Sequence, residues 1–130
     1  TLVGYSLGGN VAIQSIDQIS EELGAKVNLI TVSTPAFNAE GDAENPESKD
    51  GLNEHVQVVH QYDGVAGGLA GDSKTYNNGN TENYIVPDSE VPVSGTGARK
   101  GINAHTELPG HPKFDNYLKR VPTMNNPNGQ

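Results

Sequence analysis

Thr1-Leu2-Val3-Gly4-Tyr5-Ser6-Leu7-Gly8-Gly9-Asn10 opens the chain. Its first five residues are β-rich and run into a serine set among glycines, which reads as a buried strand followed by a tight turn. From Asn10 to Leu23 the period changes. Ala12, Ile16, Ile19 and Leu23 recur at steps of three and four and so share one helical face, with Gln14, Asp17, Gln18, Glu21 and Glu22 mostly off it. Gly24 suits a C-terminal cap. Strand, sharp turn and amphipathic helix thus follow one another without a gap.

Further along, Lys26 to Ser33 reads as a second buried strand carrying Val27, Leu29, Ile30 and Val32, stopped by Thr34-Pro35. Asn38 to Asn53 is acidic and polar, with Pro46 and Gly51, and reads as a surface loop. His55 to Tyr62 reads as a third strand through Val56, Val58 and Val59, ended by Asp63-Gly64. Gly64 to Gly101 is long and irregular, with polar clusters at Tyr76 to Asn80 and Ser94 to Gly97. Within it, Tyr84-Ile85-Val86 reads as a small hairpin or a lid strand. A final helix is expected from Pro112 to Val121, with Phe114, Tyr117, Leu118 and Val121 as its apolar face. Strands alternating with helical patterns predict an α/β class, a predominantly parallel sheet flanked by helices.

Gly4-Tyr5-Ser6-Leu7-Gly8 has the form G-x-S-x-G. A serine at a strand-to-helix corner must take strained backbone angles, and the residues two before and two after it approach closely. Gly4 and Gly8 are expected to make that approach possible. Ser6 Oγ then projects above the sheet edge, and the amide of Leu7 sits at a helix N-terminus, where it can donate to a developing oxyanion.

A serine at its free pKa is a weak nucleophile and needs a histidine, oriented in turn by a carboxylate. In the chain order Ser, Asp, His, Asp63 is the acid, because it falls just past the carboxyl end of the third strand, where parallel sheets gather ligands. Asp42, Asp50 and Asp72 read as solvated loop acids. Of the four histidines, His55 and His60 precede Asp63 and fail the order test. His60 is assigned to packing or a cross-strand hydrogen bond. His105 and His111 both satisfy the order. His105 lies on a polar stretch before the last helix, and His111 adjoins Pro112 as a helix-entry residue.

The run Gly4-Tyr5-Ser6-Leu7-Gly8-Gly9, with Ala12 following, resembles the nucleophile elbow of α/β-hydrolase lipases. Val58 to Val65 resembles the strand that carries the triad Asp in lipase-class-3-like proteins, and Ser33-Thr34-Pro35-Ala36-Phe37-Asn38 is similar to the strand-end segment between the two. A looser likeness is to lipase-like domains of bacterial Rhs-type and other surface or secreted proteins. The resemblance implies an α/β-hydrolase-like fold with its N-terminal strands missing. Residues 1–122 are accordingly expected to form the C-terminal portion of an α/β-hydrolase-like catalytic domain, and 123–130 a flexible tail. It implies Ser6, Asp63 and His105 as the triad, with Leu7 as one oxyanion donor and the other upstream of Thr1. The activity implied is hydrolysis of a small-molecule or lipid ester, in a secreted or surface setting. A scaffold-only binding domain and an acyltransferase are the alternatives.

Composition narrows the rest. With 130 residues the chain holds one domain at most. A net charge of −8 disfavours nucleic acid as a partner. The absence of cysteine removes disulfides, thiolate metal sites and Cys nucleophiles together. No apolar run is long enough to span a bilayer. There is no His-Glu-x-x-His pattern, and the Asn-rich stretch from Tyr76 to Asn83 lacks EF-hand spacing, so neither metal nor cofactor is expected. Gly64 to Gly71 lacks the Lys-Ser/Thr ending of a phosphate loop and reads as a flexible edge of the cleft.

Overall fold

Two runs of β-branched and apolar residues form the middle of a four-stranded parallel sheet. β1 (Leu2–Tyr5), β2 (Val27–Val32), β3 (Leu52–His60) and β4 (Thr81–Val86) lie side by side in that order. Leu2 pairs with Leu29, Leu29 with His55 and His55 with Thr81, so one register line crosses the sheet. The computed structural model describes residues 1–35, 46, 49–69 and 81–120. All of β2 and the last six residues of β3 are buried, as expected for parallel strands covered on both faces. The expected polar cluster at Tyr76 to Asn80, most of the loop from Asn38, the acids Asp42 and Asp72, Val121 and the tail 123–130 lie outside the described residues.

Among the described residues four α-helices flank the sheet: α1 (Leu7–Leu23), α2 (Gly64–Leu69), α3 (Gly97–Glu107) and α4 (Phe114–Leu118). On one face Ile13 and Ile16 of α1 pack on Val27 and Leu29. On the other, Ile30, Val32, Val56, Val58 and Val86 pack against Val91, Leu108, Phe114 and Leu118. Each such side chain, fully buried, contributes about 1.5–3 kcal/mol. Among the described residues no helix is long and apolar enough to cross a membrane.

Several expectations are corrected. α1 starts at Leu7 rather than Asn10, and its buried line is Gly9, Asn10, Ile13 and Ile16. Leu23, expected on that face, is 68% exposed. The stripe is rotated because Gly9 and Asn10 have no apolar side chain to reveal their burial. Gly24 does cap the helix, at φ 68°. Tyr84-Ile85-Val86 belongs to neither a hairpin nor a lid strand but to β4, parallel to β3. Gly64 to Leu69 is helical rather than a flexible edge, and the last helix runs only from Phe114 to Leu118.

On the α1 face, past the apolar cluster, the sheet carries a buried polar layer. One assignment of protons satisfies its bonds. Thr81 Oγ1 donates to His55 Nδ1 at 2.9 Å, and His55 Nε2 donates to Thr31 Oγ1 at 2.8 Å. Thr31 Oγ1 donates to Gln57 Oε1 at 2.5 Å, and Gln57 Nε2 donates to the Thr34 carbonyl at 2.8 Å. Burial pushes His55 down from 6.5 to about 4, so the folded chain holds it neutral. The unfolded chain therefore binds the extra proton first. The stability contributed by neutral His55 is complete above pH 6.5 and is lost as pH falls toward 4. Between about pH 7 and pH 4.5, wild type should lose about 2–3 kcal/mol more than His55→Gln. Urea unfolding of both at the two pH values checks this, and equal losses would refute it.

Candidate active site

Ser6 joins β1 to α1 at φ 51°, ψ −126°, a conformation that L-residues rarely occupy. Such strain costs about 1–3 kcal/mol and persists only where neighbours hold it. Here they do. Ser6 N donates to the Val32 carbonyl at 2.8 Å. The Ser6 carbonyl accepts from Gly9 N and from Thr34 Oγ1, both at 2.9 Å. The close approach that the corner demands is between Gly4 and Gly9. A Cβ on Gly4 would stand 2.5 Å from Gly9 Cα, whereas one on Gly8 would meet nothing within 4 Å. This corrects the expected pairing of Gly4 with Gly8. The cause is that the helix begins at once, so its first turn swings Gly9 back over the strand end.

Because all four strands are parallel, their carboxyl ends lie along one edge of the sheet. Asp63 follows β3 there and is fully buried. Its Oδ1 accepts from the amides of Val65 at 3.0 Å and Ala66 at 2.9 Å, capping α2. Its Oδ2 accepts from His105 Nδ1 at 3.0 Å. Nε2 of the same ring lies 2.8 Å from Ser6 Oγ. With Nδ1–H donated to the carboxylate, Nε2 is the acceptor and the Ser6 hydroxyl the donor. Ser6, His105 and Asp63 thus form one hydrogen-bonded line across the sheet edge.

His105, expected on a polar stretch before the last helix, sits on the helix α3. Lys100 Nζ donates to Asp88 at 3.3 Å and to the Val93 carbonyl at 3.1 Å, tying α3 to the segment before it. Asn103 Nδ2 and Glu107 both bond Ser94. Ser94's hydroxyl and then its amide hold the Glu107 carboxyl below the usual range. On the opposite side Gly101 comes against Gly64, and a Cβ on Gly101 would lie 3.3 Å from Gly64 Cα. The two glycines let α3 seat directly on the start of α2, which brings the imidazole to Asp63.

The other histidines are committed elsewhere. His111 Nε2 donates to the Pro92 carbonyl at 2.7 Å while Nδ1 accepts from Lys113 N at 3.1 Å. His60 is fully buried and donates to the Val91 carbonyl at 2.9 Å, a loop rather than a neighbouring strand. His55 belongs to the polar layer. Between His105 and His111, only His105 meets Ser6 and Asp63.

Leu7 is the first residue of α1, so its N–H is one of the donors that a helix start leaves without an intrahelical partner. A cleft of about 550 Å³ opens where α3 meets the start of α2, lined by Tyr62, Gly64, Val65, Ala98, Lys100 and Ile102, and none of Ser6, Leu7, Asp63 and His105 lines it. That volume lies within the range of small-molecule sites. Among the described residues no group of three or more His, Cys, Asp or Glu is placed to hold a metal. Sequence reasoning missed Thr34. Thr34-Pro35 reads only as a strand stop, and nothing in it signals a hydroxyl on the Ser6 carbonyl. The chain matches no family model, no curated protein and no solved structure.

Proposed function

We propose that this chain carries the nucleophile, base and acid of an α/β-hydrolase-like serine hydrolase acting on carboxylic esters of a lipid or small molecule. The observation that carries the reading is the 2.8 Å contact between Ser6 Oγ and His105 Nε2, with Asp63 on the far nitrogen.

The chemistry follows from those atoms. Ser6 Oγ attacks the ester carbonyl carbon as its proton passes to His105 Nε2. The carbonyl oxygen becomes an oxyanion, and the Leu7 amide donates to it. Collapse breaks the bond to the alcohol oxygen, which takes the proton from His105 and leaves an acyl group on Ser6. Water then attacks the acyl carbon, again giving its proton to His105, and the acid departs as Ser6 recovers its hydrogen. The Asp63 carboxylate keeps Nδ1 protonated throughout and stabilises the imidazolium. The geometry is neutral toward an alcohol taking the place of water, which is acyl transfer.

A fluorophosphonate probe tests the reading, because it reacts with activated serines. Wild type should gain one adduct, located at Ser6 by mass spectrometry, and Ser6→Ala should gain none. Folded wild type that stays unlabelled would remove the hydrolase reading and leave a binding scaffold. A labelled protein would be carried to short- and long-chain esters, whose relative kcat/KM values define the acyl group.

A further inference from the structure

We infer that Thr34 is a positioning residue of this site: its hydroxyl grips the Ser6 carbonyl and thereby aims the Leu7 N–H, while the polar layer that crosses the sheet holds the Thr34 carbonyl. The inference rests on the hydrolase reading above and adds to it the group that sets the oxyanion donor.

The Ser6–Leu7 peptide is trans, as all the described peptide bonds are. In a trans peptide the C=O and the N–H of one link point in opposite directions within one plane. Fixing the Ser6 oxygen therefore fixes the Leu7 hydrogen. Two donors fix it, Gly9 N and Thr34 Oγ1, each at 2.9 Å. Gly9 N–H belongs to the same helical turn and moves with it. Thr34 belongs to the end of β2, so it refers the peptide plane to the sheet. A carbonyl that accepts two hydrogen bonds also makes the N–H of its own link a better donor.

Thr34 is itself held from the far side of the sheet. Its carbonyl accepts from Gln57 Nε2 at 2.8 Å, and Gln57 is tied through Thr31 to His55 and to Thr81 on β4. The corner that brings Thr34 over the elbow is costly. Ser33 takes φ 56°, the second positive φ at a non-glycine residue among those described. The Ser33 hydroxyl is buried with no hydrogen-bond partner among the described residues. A left-handed residue and an unpaired buried hydroxyl both reduce stability. What this conformation achieves is the placement of Thr34. Its side chain also fills the space where a Cβ on Gly9 would fall, 2.0 Å from Oγ1.

Thr34→Val keeps the shape and removes the donor, and Thr34→Ser keeps the donor. Thr34→Ala removes the same hydroxyl with less volume should the valine variant not fold. Steady-state hydrolysis and phosphonate labelling are measured on folded protein, beside wild type and Ser6→Ala. Thr34→Val should lower kcat about 10-fold or more and leave KM within about twofold, since an oxyanion donor acts on the transition state. Thr34→Ser should restore most of the loss. Wild type that labels while Thr34→Val keeps its kcat would overturn the inference and leave the hydrolase reading standing. Wild type that never labels removes that reading instead. A second measurement then decides the geometry: the Leu7 amide resonance should shift in Thr34→Val and return in Thr34→Ser. A resonance that does not move overturns the inference whatever the activity.

Discussion

Asp63→Asn is expected to lower kcat/KM about 10⁴-fold while leaving the fold intact. The reason is visible in how Asp63 is held. Its Oδ1 accepts two backbone N–H bonds, from Val65 and Ala66. An asparagine placed there must present its carbonyl oxygen to those donors, because its NH₂ cannot accept. The NH₂ then faces His105 Nδ1, where Oδ2 stood at 3.0 Å. A donor in that place requires Nδ1 to be the unprotonated nitrogen. The proton moves to Nε2, which then points a hydrogen at Ser6 Oγ and cannot take one from it. The variant should therefore show near-native thermal unfolding and almost no turnover. Retained turnover would mean that Asp63 only caps α2. Esterase kinetics beside a melting curve separates the two outcomes.

Gly4→Ala should destabilise the protein by about 3 kcal/mol or more, and Gly8→Ala should not. At Gly4 the new methyl meets Gly9 Cα at 2.5 Å, Gly9 N at 2.7 Å and the Gly8 carbonyl oxygen at 2.8 Å. All three are backbone atoms, so no side chain can swing away. Relief requires α1 to shift from the end of β1, which opens the Ser6 corner. Gly8 lies in the first turn of α1 with open space around its Cα, and alanine there should stabilise by up to about 1 kcal/mol through helix propensity. Denaturant titration of the pair is a test internal to the five-residue pattern. Equal destabilisation at both positions would contradict the geometry.

The first three strands, α1 and the line from Ser6 to His105 follow signals that a sequence carries openly. Val27, Leu29, Ile30 and Val32, with Val56, Val58 and Val59, are apolar because both faces of a central parallel strand are covered. Asp63 follows from chain order and from the place where β3 ends, whereas chain order leaves both His105 and His111 and only the resemblance to α/β-hydrolase lipases implies His105. β4 was legible only at Tyr84-Ile85-Val86, and there as a hairpin or lid strand, because it lies at the edge of the described sheet. Thr81, Glu82 and Asn83 carry no apolar alternation, and Ile85 is 43% exposed. α3 was illegible for a different reason. Gly97 and Gly101 argue against a helix, yet Gly101 is what lets α3 rest on Gly64. Its stability comes from Asp88, Ser94 and the seat on α2, all tertiary. Thr34 and Gln57 gave no signal, because a polar residue at a strand end or within a buried strand declares its partner only once the neighbouring strands are in register.

The span of the hydrogen bond between Ser6 and His105, 99 positions along the chain, has a consequence for biosynthesis. Ser6 follows the strand at one edge of the sheet, and His105 is made 99 positions after it. Closing so long a loop is entropically late, after the strands between have paired. Until α3 docks, Ser6 therefore lacks its contact with His105 Nε2. On the hydrolase reading proposed above, the nucleophile is armed only when α3 docks, so reactivity arrives with that docking and is lost when α3 comes loose.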